Sequence, residues 1–447
     1  MLFSSFEFLF RFLPVFLVIY YLTPKKFRNV TLLGGSIVFY TIGEAGYITI
    51  LLACVLVNYT LTRLMYRKNT DGRGIRQKRL LLLALGYDLG VLFFFKYSGL
   101  ASGLPLGISF YTFQIMAYVI DVYRGRIPAE QSLLRLGTYL TMFPQLISGP
   151  ITNYADVRVA LGRERKIKAR QLEEGMKLLI IGLAAKVVIA DRIGTLWNSI
   201  RMIGFDSIST KLAWMGAFAY SLQLYFDFAG YSMMARGIGK MLGFELPVNF
   251  RYPYISKSVT EFWRRWHITL GRWFREYVYI PLGGNRKGKA RTFFNLFVVW
   301  SLTALWHGAN YNFLIWGGIL LCCLLVEKLF LLRLLDKSRV IGHLYVLFVV
   351  PLSWVAFAVT DLSELGIYMT RLFPFAGHAA GVINHLDYLK YLNDYAPLFL
   401  LGVLFATPLP ELSADRAQMD RQGDTARHFR ALHVLSGGVG KQSVFVL

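Results

Sequence analysis

Long apolar runs alternate with short polar stretches along almost the whole chain, and the runs have the length of membrane-crossing helices. A helix needs about 20 apolar residues to cross the hydrocarbon layer. Phe6 to Leu22, Leu80 to Tyr97, Gly107 to Tyr123, Leu178 to Met202, Leu212 to Met234 and Ile341 to Val359 each supply one such helix. Val30 to Leu64 is too long for a single pass, and the turn-like Gly43-Glu44-Ala45-Gly46 predicts a hairpin of two. Phe293 to Val326 is also too long and carries no formal charge; His307-Gly308-Ala309-Asn310 predicts the break between its two helices.

Two segments depart from this rhythm. Leu133 to Tyr154 is apolar but holds Pro144 and Ser148-Gly149-Pro150, so one regular helix cannot satisfy its backbone. Such irregularity at membrane depth is tolerated only inside protein or beside a water-filled cavity. The segment is therefore expected to be broken or re-entrant and to line a water-accessible cavity. Gly243 to Arg291 is the longest polar insertion within the membrane region. In it, Ser258-Val259-Thr260-Glu261 has capping-box spacing. The following stripe of Phe262, Trp266, Leu270, Trp273 and Tyr277, with Arg264, Arg265, Arg272 and Arg275 beside it, predicts an amphipathic interfacial helix from Tyr254 to Tyr279. The fold class expected is thus an all-α polytopic membrane protein of about nine to eleven spans. No internal repeat or separate soluble domain is visible, so residues 1–408 form one membrane domain and 409–447 a polar tail.

Composition agrees with the pattern: 55% of the residues are hydrophobic and 17% charged, against about 25% charged in soluble domains. The formal net charge of +23 would suggest nucleic acid in a soluble protein, but no binding module accompanies it. Clusters such as Lys25-Lys26-Phe27-Arg28, Arg63 to Arg79, Arg158 to Arg170 and Arg286 to Arg291 fall between apolar runs, where the positive-inside rule accounts for them and places the N-terminus outside. Cys54, Cys322 and Cys323 lie in apolar runs without metal or disulfide spacing.

Ionisable groups at membrane depth are costly and mark candidate chemistry. His307 lies between two long apolar stretches, and His267 lies in Trp263-Arg264-Arg265-Trp266-His267. Imidazole has the unperturbed pKa best suited to proton transfer near neutral pH, although a histidine can also merely hydrogen-bond a buried carbonyl or water. Asp191 and Asp227, both in apolar surroundings, are expected to be buried acids in supporting, mainly structural roles. No serine nucleophile elbow, phosphate loop or zinc spacing is present.

Several of these stretches form motifs. Tyr252-Pro253-Tyr254, Thr260-Glu261-Phe262-Trp263-Arg264-Arg265-Trp266-His267, Tyr279-Ile280-Pro281-Leu282-Gly283-Gly284-Asn285-Arg286 and Thr303-Ala304-Leu305-Trp306-His307-Gly308 resemble the membrane-bound O-acyltransferase family. Gly107-Ile108-Ser109-Phe110-Tyr111-Thr112-Phe113-Gln114 and Gln145-Leu146-Ile147-Ser148-Gly149-Pro150-Ile151 fit its alginate O-acetylation branch. The resemblance covers residues 1–360 and implies broken and re-entrant helices around a transmembrane channel, with the family's invariant histidine at His307 and the branch's second conserved position at His267. Met233 and Arg236 differ from similar members, which carry aspartate and a small or apolar residue there.

By the same resemblance, the activity expected is acyl transfer, most simply acetyl, from a cytoplasmic thioester toward hydroxyls of an exported polysaccharide. The co-substrate would be acetyl-CoA or an acyl-carrier thioester, with no bound cofactor or metal. The implied partners are the lipid bilayer, an acyl-CoA or acyl carrier protein, a periplasmic or extracellular acetyltransferase and the polysaccharide; the implied location is the bacterial inner membrane. His307 would be the general base and His267 would position the thioester or stabilise developing charge. Two other readings stand beside this one: D-alanyl transfer toward teichoic acid, and polysaccharide transport without chemistry. The last calls for inverted repeats with midplane polar sites, and the sequence shows none.

Overall fold

The computed structural model describes residues 2–66, 74–99, 103–376 and 384–409, and every regular element among them is helical. After a π-type turn at Glu7–Phe12 the helices are α1 (Leu13–Leu22), α2 (Arg28–Glu44), α3 (Ile48–Met65), α4 (Ile75–Tyr97) and α5 (Ile108–Tyr123). The short α6 (Leu133–Thr141), α7 (Phe143–Leu146) and α8 (Tyr154–Gly162) lead to α9 (Ala169–Ala184), a π-type turn at Ala185–Ala190, α10 (Asp191–Ile203) and the 32-residue α11 (Thr210–Met241). Then come α12 (Val259–Arg265), α13 (Ile268–Phe274), α14 (Gly288–His307), α15 (Tyr311–Val326), α16 (Leu332–Leu335), α17 (Arg339–Ala358), α18 (Leu362–Leu372) and α19 (Asp387–Phe405).

Four stretches are long and apolar enough to cross a membrane: Lys25–Met65, Ile75–Tyr97, Tyr311–Leu335 and Arg339–Ala358. The first folds back at Ala45–Tyr47 into the α2–α3 hairpin expected around Gly43 to Gly46. The break between α14 and α15 falls at Gly308 to Asn310, also as expected. Leu133 to Tyr154 is broken at Met142, Phe143 and Gln145 are fully buried in protein, and a Cβ at Gly149 would lie 2.5 Å from the Pro144 carbonyl oxygen.

Helices α9 and α11 cross in close contact. A Cβ on Gly182 would lie 2.5 Å from the Gly230 carbonyl oxygen, and one on Gly175 would lie 2.6 Å from that of Gly237. Both pairs repeat at seven residues, about two turns, so small residues face each other twice along the crossing and the two backbones touch. One core gathers α1 to α6 around Phe8, Phe39 and Phe143; a second, around Trp266, Trp316 and Trp354, gathers α11, α12, α15 and α17.

The interfacial helix expected over Tyr254 to Tyr279 is not found. His267 adopts φ 44° and divides the segment into α12 and α13. Phe262, Trp266, Leu270, Trp273 and Tyr277 are all buried against protein rather than presented to lipid. Trp273 stacks on Phe113 of α5 at 4.2 Å and Trp266 meets Trp354 of α17 at 4.9 Å. The stripe was amphipathic because it faces an interior, not because it faces a headgroup layer. The tail beyond Leu409 and part of the Arg63 to Arg79 cluster lie outside the described residues.

Candidate functional site

The chain enters the site through α12. Ser258 Oγ accepts from the Glu261 amide at 3.0 Å, which is half of the expected box; the Glu261 carboxylate turns to the Lys257 amide at 2.9 Å instead. The amides of Val259 and Thr260 donate to the buried Glu327 carboxylate at 2.6 and 2.9 Å, which fixes the start of α12 to the helix beyond α15. These contacts satisfy the donors that a helix N-terminus leaves open.

About two turns later the helix breaks at His267. The break is held by an extended neighbour: the Ile268 amide donates to the Asn249 carbonyl at 2.9 Å, and the Arg251 amide to the Arg265 carbonyl at 2.9 Å. A left-handed conformation costs a non-glycine residue roughly 1–2 kcal/mol, so it persists where the surroundings enforce it. His267 and Tyr252 are the two such residues in the described chain, and both flank this contact.

The Asn249 side chain settles the chemistry of the His267 ring. Asn249 Oδ1 lies 3.2 Å from the Thr269 amide nitrogen, 2.9 Å from Thr269 Oγ1 and 3.1 Å from His267 Nδ1. A backbone amide can only donate, so Asn249 presents its oxygen to all three. Nδ1 of His267 must then carry a proton, which leaves the lone pair of the neutral ring on Nε2. Thr269 Oγ1 also accepts from the Ile151 amide at 3.0 Å, so the broken segment ending in Pro150 buttresses the same asparagine. His267 is 4% exposed, and its Nε2 is buried without a protein partner.

Nε2 belongs to an aromatic chamber. The imidazole lies 4.7 Å from the Phe228 ring, 6.3 Å from Phe110 and 6.4 Å from Trp306. The Trp306 ring in turn lies 4.6 Å from the ring of His307, so one indole stands between the two imidazoles. His307, half-buried at the last residue of α14, contacts Trp316 and Phe357 at 5.0 Å each. The indole nitrogens of Trp263, Trp306 and Trp316 are buried without a protein acceptor. A buried donor left unpaired costs about 1–3 kcal/mol. Trp306, which touches both histidines, and Trp316, which touches His307, thus carry hydrogen-bonding capacity that the protein itself does not use.

Asp191 and Asp227 differ from expectation. Their side chains are 50% and 49% exposed, and both bind Lys186 Nζ, at 2.6 and 2.7 Å. They form a paired cluster at the α9–α11 crossing, and no hydrogen bond or ion pair joins them to either histidine. Residue type and apolar flanks alone could not show that a lysine one turn away turns toward them. Met233 packs against the second core and Arg236 Nε donates to the Leu246 carbonyl at 3.4 Å.

Three site residues escaped the sequence reading. Asn249 lies 18 residues before His267, in a loop, and only the fold brings it to the ring. Trp306 carried no signal beyond its place in the motif. Lys96, in the last turn of α4, places Nζ 5.5 Å from the Trp306 ring centroid.

A family model described as the membrane-bound O-acyltransferase family matches residues 37–360. A probable alginate O-acetylase of Pseudomonas putida is 37% identical over 408 residues, which cover 86% of this chain and 82% of that protein. A probable alginate O-acetylase of Azotobacter vinelandii is 35% identical over 466 residues, covering 98% and 91%. A peptidoglycan O-acetyltransferase of Helicobacter pylori is 34% identical over 368 residues, covering 71% and 68%.

Proposed function

This chain belongs to the membrane-bound O-acyltransferase family and is a membrane O-acyltransferase, and from that premise we propose that it moves an acetyl group from a cytoplasmic thioester toward hydroxyls of an exported cell-surface polysaccharide. The observation that carries the reading is the cluster around Trp306, where two imidazoles meet one indole whose N–H is unpaired, between apolar helices. The donor is acetyl-CoA or an acyl-carrier thioester, and a periplasmic or extracellular acetyltransferase receives the group before the polysaccharide does. Residence in a bacterial inner membrane and about nine to eleven crossings, counting helices shorter or more polar than the four long apolar stretches, are part of the same proposal.

His307 is assigned as the general base. It is half-buried where His267 is buried, and is the more accessible of the two imidazoles to a hydroxyl. His267 has a narrower role than charge stabilisation. With its proton fixed on Nδ1 by Asn249, neutral His267 offers only a lone pair to the chamber, so it orients a donor, such as a hydroxyl or thiol, and gives no hydrogen bond to an oxyanion. Negative charge must be met by other groups.

The test is direct. Purified protein in detergent, given acetyl-CoA, should transfer or hydrolyse acetyl, and His307→Ala should not. Transfer of D-alanyl from a charged carrier protein in place of acetyl would move the assignment to teichoic acid modification. Activity with neither donor would remove the proposal.

A further inference from the structure

Lys96 is an interior cation with nothing assigned to it. Tyr97, its neighbour, donates its hydroxyl to the Leu305 carbonyl, so the end of α4 is fastened to the end of α14 one residue before Trp306. That anchor holds Lys96 Nζ 5.5 Å from the centroid of the Trp306 indole, whose ring is 4.6 Å from that of His307. The ordinary account is a lysine at a helix end reaching for the interface and complementing the helix dipole. One observation argues against it. The side chain turns inward, half-buried over an indole, instead of outward to solvent. Lys186 and Lys240, also half-buried, each hold a carboxylate, Lys186 binding Asp191 and Asp227 and Lys240 binding Glu174 at 2.5 Å; Lys96 holds an indole instead. Among the described residues no acid lies within ion-pair distance of Lys96.

We propose that Lys96 and the indole N–H of Trp306 together receive the negative charge that forms on the acyl oxygen during transfer. This rests on the acyl-transfer reading. As the acceptor hydroxyl oxygen bonds to the acyl carbon, His307 takes its proton and the carbonyl pair moves onto oxygen. When that pair returns, the carbon–sulfur bond breaks, the electrons leave with sulfur, and the histidine returns its proton to the thiolate. Lys96 transfers no proton; it supplies a fixed positive charge where His267, holding a lone pair, supplies none. A cation waiting without a counter-ion in an apolar chamber is preorganised for this, because it loses no partner when the charge develops.

The experiment uses the full chain in detergent with radiolabelled acetyl-CoA and a hydroxyl acceptor. Lys96→Met should lower kcat on the order of 10²- to 10³-fold, the usual effect of removing an oxyanion donor, with KM for acetyl-CoA nearly unchanged. Lys96→Arg should recover a substantial part of that loss, because it restores the charge. Trp306→Phe keeps the ring, removes the N–H and should lower kcat less than Lys96→Met; it carries the test if Lys96→Met does not fold. A packing role would instead give Lys96→Met full kcat per folded molecule, or a loss that arginine does not rescue, and either result overturns the proposal. If His307→Ala abolishes transfer while Lys96→Met and Trp306→Phe do not alter kcat, the charge assignment falls and the acyl-transfer reading stands. A wild-type protein inactive with every thioester removes both.

Discussion

Two places in this protein bring ionisable groups together at contacts between helices, one half exposed and one largely buried, and they treat those groups in opposite ways. At the α9–α11 crossing, Lys186 bridges Asp191 and Asp227 at 2.6 and 2.7 Å, so each charge meets another. Around Trp306, the His267 Nε2 and the Trp306 indole N–H have no protein partner, and among the described residues Lys96 has no acid. The first arrangement is complete and holds helices together; the second is unfinished and can be completed by a substrate. Cost explains why both persist, since a buried polar group must be paired or be compensated by what it binds. Leftover hydrogen-bonding capacity, more than the presence of charge, separates a site from a staple here.

Four perturbations sharpen or break that contrast. The largest effect is expected at His307, where both His307→Ala and His307→Gln should lose roughly 10²- to 10⁴-fold in transfer, the usual contribution of a general base; equal expression in membranes is the control. Next comes Asn249→Ala, which frees the His267 proton and leaves the Thr269 amide unmet. It should reduce transfer about 10- to 100-fold, in line with the roughly 1–3 kcal/mol cost of an unpaired buried group. Asn249→Asp, which still accepts from all three donors, should stay closer to wild type; equal damage from both would show that the tautomer is not what Asn249 provides.

Gly182→Ala should act on the other region. Its Cβ would meet the Gly230 carbonyl at 2.5 Å, so thermal melting in detergent should report a loss of about 1–3 kcal/mol, with activity per folded molecule preserved. The smallest effect belongs to Asp191→Asn, because Asp227 remains on Lys186 and Asp191 is half exposed. Stability should fall by less than about 1 kcal/mol, and a melting curve together with an unchanged transfer rate would check it. A large loss of activity there would erase the distinction between the two regions.

How much of this was legible beforehand follows the range of the physics involved. The α2–α3 hairpin and the break after His307 are set by local run length and turn residues, so both could be read from the chain. The break at Met142 was announced by Pro144 and Gly149 for the same reason. The helix break at His267 was not readable, because it depends on two backbone bonds from Asn249 and Arg251, and nothing in Trp266-His267-Ile268 punctuates a helix. The stripe from Phe262 to Tyr277 has the same periodicity whether its partner is lipid or protein, so pattern alone chose the wrong partner. His267 and His307 stood out as rare residue types in apolar surroundings. Asn249 and Lys96 became visible only when the fold brought residues from distant loops and helices to one indole.

The central claim is that transfer takes place in the chamber between the two histidines. The most direct measurement is acetyl transfer from acetyl-CoA, at matched expression, by wild type, His267→Ala, His307→Ala and Asp191→Asn. The account predicts that His307→Ala falls by at least about 10²-fold, that His267→Ala also falls clearly, and that Asp191→Asn keeps the wild-type rate. Near-wild-type transfer by His307→Ala, or a loss in Asp191→Asn as large as that in the histidine variants, would contradict it.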